Sequence, residues 1–274
     1  MKRRKSAQNI QMYIGAAIVL FFVVIALLAP LLAPFDPLEV VVVRRLQPPS
    51  SDHWFGTDDL GRDNFSRVLF GARVSLVVGV AATAMGAIAG SIIGMLAGYF
   101  GGKLDSLLMR FMDILLAFPG LLLALAIVTT LGSSTRNVIL AVAIFAVPGF
   151  ARIVRGATLN VKKLEYVDAI RAVGANDFRI IFVHILPNIL SPIIVQATLN
   201  VGGAIVTAAA LSFLGVGTPP PTPEWGAMVS RGRDFLAHAP HMIYFPGLMI
   251  FLLVVGINMF GDGLRDYLEP KKTR

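Results

Sequence analysis

The chain has no cysteine among its 274 residues, which excludes disulfides and any metal or redox site built on thiolates. Charge is scarce too: 15% of residues are Asp, Glu, Lys or Arg, against about 25% in an ordinary soluble domain. None of the four occurs between Tyr13 and Ala33, or between Val74 and Phe100. A soluble helical core would need charged faces in both stretches, so that class is set aside. The chain also lacks a Gly-x-x-x-x-Gly-Lys-Ser/Thr phosphate cradle and does not handle ATP by that route. Its four histidines, His53, His184, His238 and His241, fall at or beyond the ends of the apolar stretches. An intramembrane serine protease would need a histidine and a serine within reach of each other at membrane depth, and no nucleophile motif surrounds a buried serine. No group of His and carboxylates has metal-ligand spacing in these stretches, so no resident metal or cofactor is expected.

What is present is apolar: 56% of the residues, gathered in blocks. A helix crossing the hydrocarbon needs roughly 20 such residues. The blocks predict an all-α membrane protein with six transmembrane helices, at about 12–33, 74–98, 113–132, 137–156, 189–212 and 243–262. Pro119 falls inside the third, where neighbouring helices can satisfy the freed carbonyl. The fourth is free of charge only from Asn137 to Ala151, which puts Arg152 near its end with its side chain snorkelling. Met1-Lys2-Arg3-Arg4-Lys5 ahead of the first block has the look of a signal peptide. The apolar run exceeds the usual 7–15 residues, however, so an uncleaved first helix is expected.

The basic residues set an orientation. With the N-terminus inside, 16 of the 24 Lys and Arg lie on inner segments, whereas the 16 acidic residues divide equally. The net charge of +8 therefore sits on the cytoplasmic side, with both termini there. A nucleic-acid surface would interleave aromatics with its cations, so no nucleic-acid partner is expected. The organisation that follows is a basic tail at 1–11, a first helix at 12–33, an external loop with an amphipathic segment at 34–73, a core at 74–262 with a cytoplasmic loop at 157–188, and a tail at 263–274.

Within the spans, Gly86, Gly90, Gly94 and Gly98 recur every four residues and form a ribbon where another helix can approach closely. Gln196 and Asn200 share a face of the fifth span, with Thr207 on roughly the same side, and Asn258 lies in the sixth. Polar groups at that depth either line a water-filled route or hydrogen-bond between helices. Arg73, at the outer end of the second span, is expected to pair with Asp58, Asp59 or Asp63. Trp225, in a proline-rich external loop at 213–242, is expected at the membrane boundary.

The loop between the fourth and fifth spans carries the most information. Leu164, Val167, Ile170 and Val173 keep helical spacing on one face, with Glu165, Asp168 and Arg171 elsewhere. Gly174 can adopt the left-handed conformation that stops a helix. Asn176 can cap a second helix toward His184. Two short helices at a glycine turn make a rigid knob suited to a partner's groove.

This loop resembles the signature of bacterial ABC importer permeases, Glu-Ala-Ala, three residues, Gly, nine residues, Ile-x-Leu-Pro. Asp168-Ala169-Ile170 takes the Glu-Ala-Ala place, Gly174 the glycine and Leu186-Pro187 the Leu-Pro, with Asp for Glu, Ile for the second Ala and His184 for Ile as departures. Asp52 to Asp58, Leu60 to Asp63 and Ser66-Arg67 on to Leu76 resemble the C-type permease of the dipeptide/oligopeptide/nickel branch. So do Asp113, Ala117-Phe118-Pro119, Leu211 to Gly215, Pro219-Pro220, Trp225-Gly226 and Gly261 to Asp266. The resemblance implies a type I importer permease fold and an assembly with a second permease, two cytoplasmic ATPases that hold ATP and Mg, and an external solute-binding protein. It implies that Glu165, Asp168, Ala169, Arg171 and Gly174 couple the chain to the ATPases. It also implies a cargo of di- or oligopeptides, with nickel chelates, glutathione or oligosaccharides as alternatives.

Overall fold

The computed structural model describes residues 2–268, with side chains from Ile10 onward. The N-terminal basic cluster and the last six residues of the expected 263–274 tail therefore contribute no described side chain. The chain is almost wholly helical: α1 Lys2–Leu32, α2 Asn64–Phe100, α3 Gly102–Ala117, α4 Gly120–Leu131, α5 Thr135–Lys162, α6 Glu165–Ala172, α7 Asp177–Arg179, a π turn Ile180–Ile185, α8 Leu186–Phe213, α9 Trp225–Gly232 and α10 His241–Leu268.

Five apolar helices are long enough to cross a membrane, and the bent pair α3 and α4 together has the length and apolarity of a sixth. The expected third span is thus corrected: it is two helices meeting at 90°. The cause is local. Proline forces the residue before it out of the α region, and Phe118 sits at φ −83°, ψ 136°. α4 has 12 residues, about 18 Å, too short alone for a hydrocarbon core of about 30 Å. The fourth span is also longer than expected. α5 runs on to Lys162, so Arg152 lies a full ten residues inside it, where its Nη2 donates to Asp113 Oδ1 at 2.5 Å. α2 starts at Asn64, ten residues before the expected boundary, with the Asp63 carboxylate accepting from Ser66 N at 2.7 Å as its N-cap.

The glycine ribbon of α2 lies on α5. A Cβ at Gly86 would stand 2.7 Å from the Ala146 Cβ, one at Gly90 2.5 Å from the Phe150 Cβ, one at Gly94 2.5 Å from the Ala151 carbonyl oxygen, and one at Gly98 2.9 Å from the Arg155 carbonyl oxygen. Residue numbers rise together along both helices, so α2 and α5 run parallel, with α3 and α4 making the return between them. α8 is antiparallel to α2, with Gly79 against Ile205 and Thr83 bonded to Asn200. α10 is antiparallel to both α8 and α1, through Gly261 on Leu199 and Gly15 on Gly256. These directions bring the start of α1 and the end of α10 to the same end of the bundle as α6 and α7.

Candidate functional site: the α6–α7 knob and the opposite cap

α6 is capped at its C-terminus by a closed pattern of main-chain bonds. Gly174 N donates to Arg171 O at 2.9 Å and Ala175 N to Ile170 O at 3.3 Å, the pair of bonds that a left-handed residue after the helix permits. Gly174 adopts φ +91°. Asn176 Oδ1 then accepts from Arg179 N at 2.8 Å and starts α7. The expected apolar face of α6 is only partly buried. Val167 is fully enclosed and Ile170 half-buried, while Leu164 is exposed and Val173 is 90% exposed. The helix stops at Ala172, so Val173 leaves the spiral that would have turned it inward.

Val167 packs into a cluster with Met95 and Tyr99 of α2, Val154 of α5, and Ile180, Ile181, Ile185 and Ile189. Tyr99 fastens the knob. Its hydroxyl donates to Asp177 Oδ1 at 2.5 Å and accepts from Arg171 Nη2 at 3.3 Å. Lys162 Nζ donates to the Tyr99 carbonyl. The bond to Tyr99 favours the charged form of Arg171 and raises its pKa further. About two turns back along α5 from Lys162, Arg155 Nε and Nη2 donate to the two Asp105 oxygens at 2.5 and 2.6 Å, a bidentate fork that ties α3 to α5. The sequence pattern did not identify Tyr99, Asp177, Lys162 or the Asp105–Arg155 pair. An aromatic at the end of a span, where interfacial residues gather, was the one signal for Tyr99.

Glu165, Asp168 and Ala169 stand on the exposed side of α6. Arg171 is also exposed, reaching back to Tyr99 and within 3.5 Å of Asp168. Val173 and Phe178, which follow in the chain, are exposed as well, so the knob presents both charged and apolar side chains. The other polar candidates are more dispersed. Asn200 Oδ1 accepts from Thr83 Oγ1 at 3.3 Å between α8 and α2. Thr207 Oγ1 donates to the Gly203 carbonyl of its own helix. Gln196 is half-buried, and Asn258 is exposed on α10. The structure does not bring these four together around one point.

At the opposite end, residues 46–67 and α9 form a cap over the bundle. Arg62 Nε donates to Asp58 Oδ2 at 2.6 Å, Arg231 Nε pairs with Asp59 at 2.9 Å, and His53 Nδ1 lies 2.9 Å from Asp63 Oδ1. Arg73, expected as the partner of one of these carboxylates, is instead exposed. Trp225, expected at the membrane boundary, is fully buried within the protein. Its indole lies on Gly71, packs edge-on against Phe22 at 5.7 Å and donates to the Val68 carbonyl at 2.9 Å. Before it, the Glu224 carboxylate accepts from Gly226 N and Ala227 N at 2.8 Å each. No group of three or more metal-ligating side chains occurs among the described residues.

Residues 90–274, which include the knob and everything after it, match the family described as binding-protein-dependent transport system inner membrane component. The chain belongs to that family. Residues 8–49 match the N-terminal transmembrane domain of oligopeptide transport permease C. The dipeptide transport system permease protein DppC of Alkalihalophilus pseudofirmus is 51% identical, over 94% of this chain and 85% of its own length. The glutathione transport system permease protein GsiD of Pectobacterium atrosepticum is 48% identical, over 98% and 89%. Inward-facing structures of the MetNI methionine ABC transporter share the fold, with a TM-score of 0.61 at 19% identity over 76% of this chain and 97% of theirs. The chain is therefore a multi-pass, non-catalytic transport subunit of C-type ABC permease kind, with the type I importer permease fold.

Proposed function

We propose that the chain is one of two permeases in an importer that carries peptides or peptide-like solutes across the inner membrane. The knob end, with both chain termini, faces the cytoplasm, and the cap faces outward. Two partner ATPases bind and hydrolyse ATP with Mg and engage the exposed side of α6 through Glu165, Asp168, Ala169 and Arg171. Gly174 fixes the angle at which α6 is presented. A solute-binding protein delivers cargo to the cap, and Gln196, Asn200, Thr207 and Asn258 border the route inward.

The observation that carries this reading is the knob: a short helix with a charged and apolar outer face, locked by Gly174 and Tyr99 to the two parallel helices α2 and α5. A side chain at Gly174 would meet nothing within 4 Å, so substitution there acts through the backbone alone. A β-branched residue in the left-handed region costs about 1–2 kcal/mol, enough to re-angle an exposed turn without unfolding the bundle. Gly174→Val is expected to lower ATP-driven uptake in proteoliposomes and to weaken ATPase association, with unchanged membrane insertion. Normal uptake and association would overturn the coupling role.

Glutathione is the second cargo reading, favoured by the GsiD relatives. Uptake by the complete system with labelled dipeptide and labelled glutathione, each competed by the other, separates the two.

A further inference from the structure

At the cap end, a cavity of about 460 Å³ lies between the 58–67 segment, the 212–222 loop and α9. Its wall carries four guanidinium groups, on Arg62, Arg67, Arg231 and Arg233, against two carboxylates, on Asp58 and Asp234. The imbalance is concentrated in the buried part. Arg62 and Arg67 are 2% and 6% exposed, and both turn to the one Asp58 carboxylate, with Nε atoms at 2.6 and 3.6 Å from Oδ2. Arg67 spends Nη1 on the Pro37 carbonyl at 2.9 Å. Arg62 Nη2 is buried and meets no hydrogen-bond partner among the described residues. Asp63 is committed to His53 and Ser66 N, and Asp59 pairs with Arg231, although its buried Oδ1 makes no well-aligned hydrogen bond.

Two enclosed cations share one anion beside a cavity, and a buried charge without a counter-charge is strongly unfavourable. We infer that this cavity binds the carboxylate group of a small solute arriving at the cap. A carboxylate presents two oxygens in the plane that a guanidinium fork matches. The cavity falls within the roughly 300–1,000 Å³ range of small-molecule sites, so it suits a whole small solute. The inference takes from the permease reading only that the cap is reachable from outside. The site itself rests on charge and geometry.

The test is equilibrium dialysis on the full chain in lipid nanodiscs, without nucleotide, using labelled Ala-Ala and its C-terminal amide. Saturable binding of Ala-Ala is expected, with the amide at least about tenfold weaker, since the charge-assisted bonds are lost. Arg233 and Asp234 are exposed on the cavity wall and replaceable without disturbing the buried pair. Arg233→Gln should weaken Ala-Ala binding several-fold and Asp234→Asn should tighten it, both effects shrinking at high salt. Equal binding of dipeptide and amide, no saturable binding below about 10 mM, or shifts of the same sign in the two variants would overturn the site. Because neither ATP nor transport enters the measurement, its failure leaves the permease reading standing. Failed uptake alongside intact binding would count against the permease reading alone.

Discussion

The contact between α2 and α5 gives the sharpest quantitative expectation. At Gly90, a Cβ would stand 2.5 Å from the Phe150 Cβ and 2.6 Å from the Val147 carbonyl oxygen. Carbon atoms settle at about 3.5–4.0 Å, so Gly90→Ala asks the two helices to move apart by about 1 Å at this level. Neither obstacle is the tip of a flexible side chain, because one is backbone and the other the first carbon of a buried ring. The glycines a turn to either side, Gly86 and Gly94, hold equally close contacts, so the separation cannot be taken up by tilting about Gly90. Overpacking of this kind costs about 1–3 kcal/mol. Against it stands the better helix propensity of alanine, about 1 kcal/mol in a helix interior. The net expectation is a loss of about 0–2 kcal/mol for the single variant and more for Gly90→Ala/Gly94→Ala, read by denaturant or thermal unfolding of the purified chain in detergent. Gly247→Ala on α10 is the control. Its Cβ meets nothing within 4 Å, so only the propensity gain remains and stability should hold or rise. If the double variant is as stable as the control, the ribbon is not the close contact that holds α2 to α5.

Three further outcomes follow from individual side chains. Burial raises the Glu224 pKa above the ordinary 4.5, against hydrogen bonds from Ser212, Gly226 N and Ala227 N that lower it. A carboxyl whose folded pKa is raised contributes stability that is complete below 4.5 and lost as pH rises through the folded value. Glu224→Gln keeps an acceptor and removes the titration, so its stability profile should be flatter on the alkaline side of 4.5; an unchanged slope would refute this. Asp105→Asn and Arg155→Ala should each cost about 0.5–1 kcal/mol, a modest figure because the guanidinium is about a third exposed. A double-mutant cycle should show the two losses to be shared, and full additivity would deny the fork. Tyr99→Phe deletes the hydroxyl between Asp177 and Arg171 and should cost about 1–2 kcal/mol locally. Hydrogen exchange at 165–179 should quicken while α10 is unaffected, and equal protection in both proteins would exclude Tyr99 as the fastener.

The features legible in the sequence are those fixed by a short period or a single residue. The glycine ribbon needed only its four-residue spacing, and the stop at Gly174 and the cap at Asn176 needed only the residue that adopts each conformation. The apolar blocks located the crossings, but one local rule pointed two ways. Pro119 can sit in a tolerated kink or end a helix, and the 90° bend reflects how α4 packs on α5 through Ala124 and Val128, which no period records. The misassigned arginine has a geometric cause. Once α2 begins at Asn64, Arg73 stands six residues beyond Arg67, about 240° around the helix, so the face that turns Arg67 toward Asp58 turns Arg73 outward. Placing the helix start ten residues late hid that relation. Tyr99 was missed for a different reason: its partners lie 72 and 78 residues away, and nothing local marks them. Yet this contact gives the legible parts their joint meaning. Tyr99 ends the same helix that carries the ribbon, and Arg155, whose backbone closes over Gly94 and Gly98, holds Asp105 of α3. The knob's apolar cluster thus joins α2 and α5 directly, with α3 tied on through Arg155, and no residue of α1 or α10 belongs to it among the described residues.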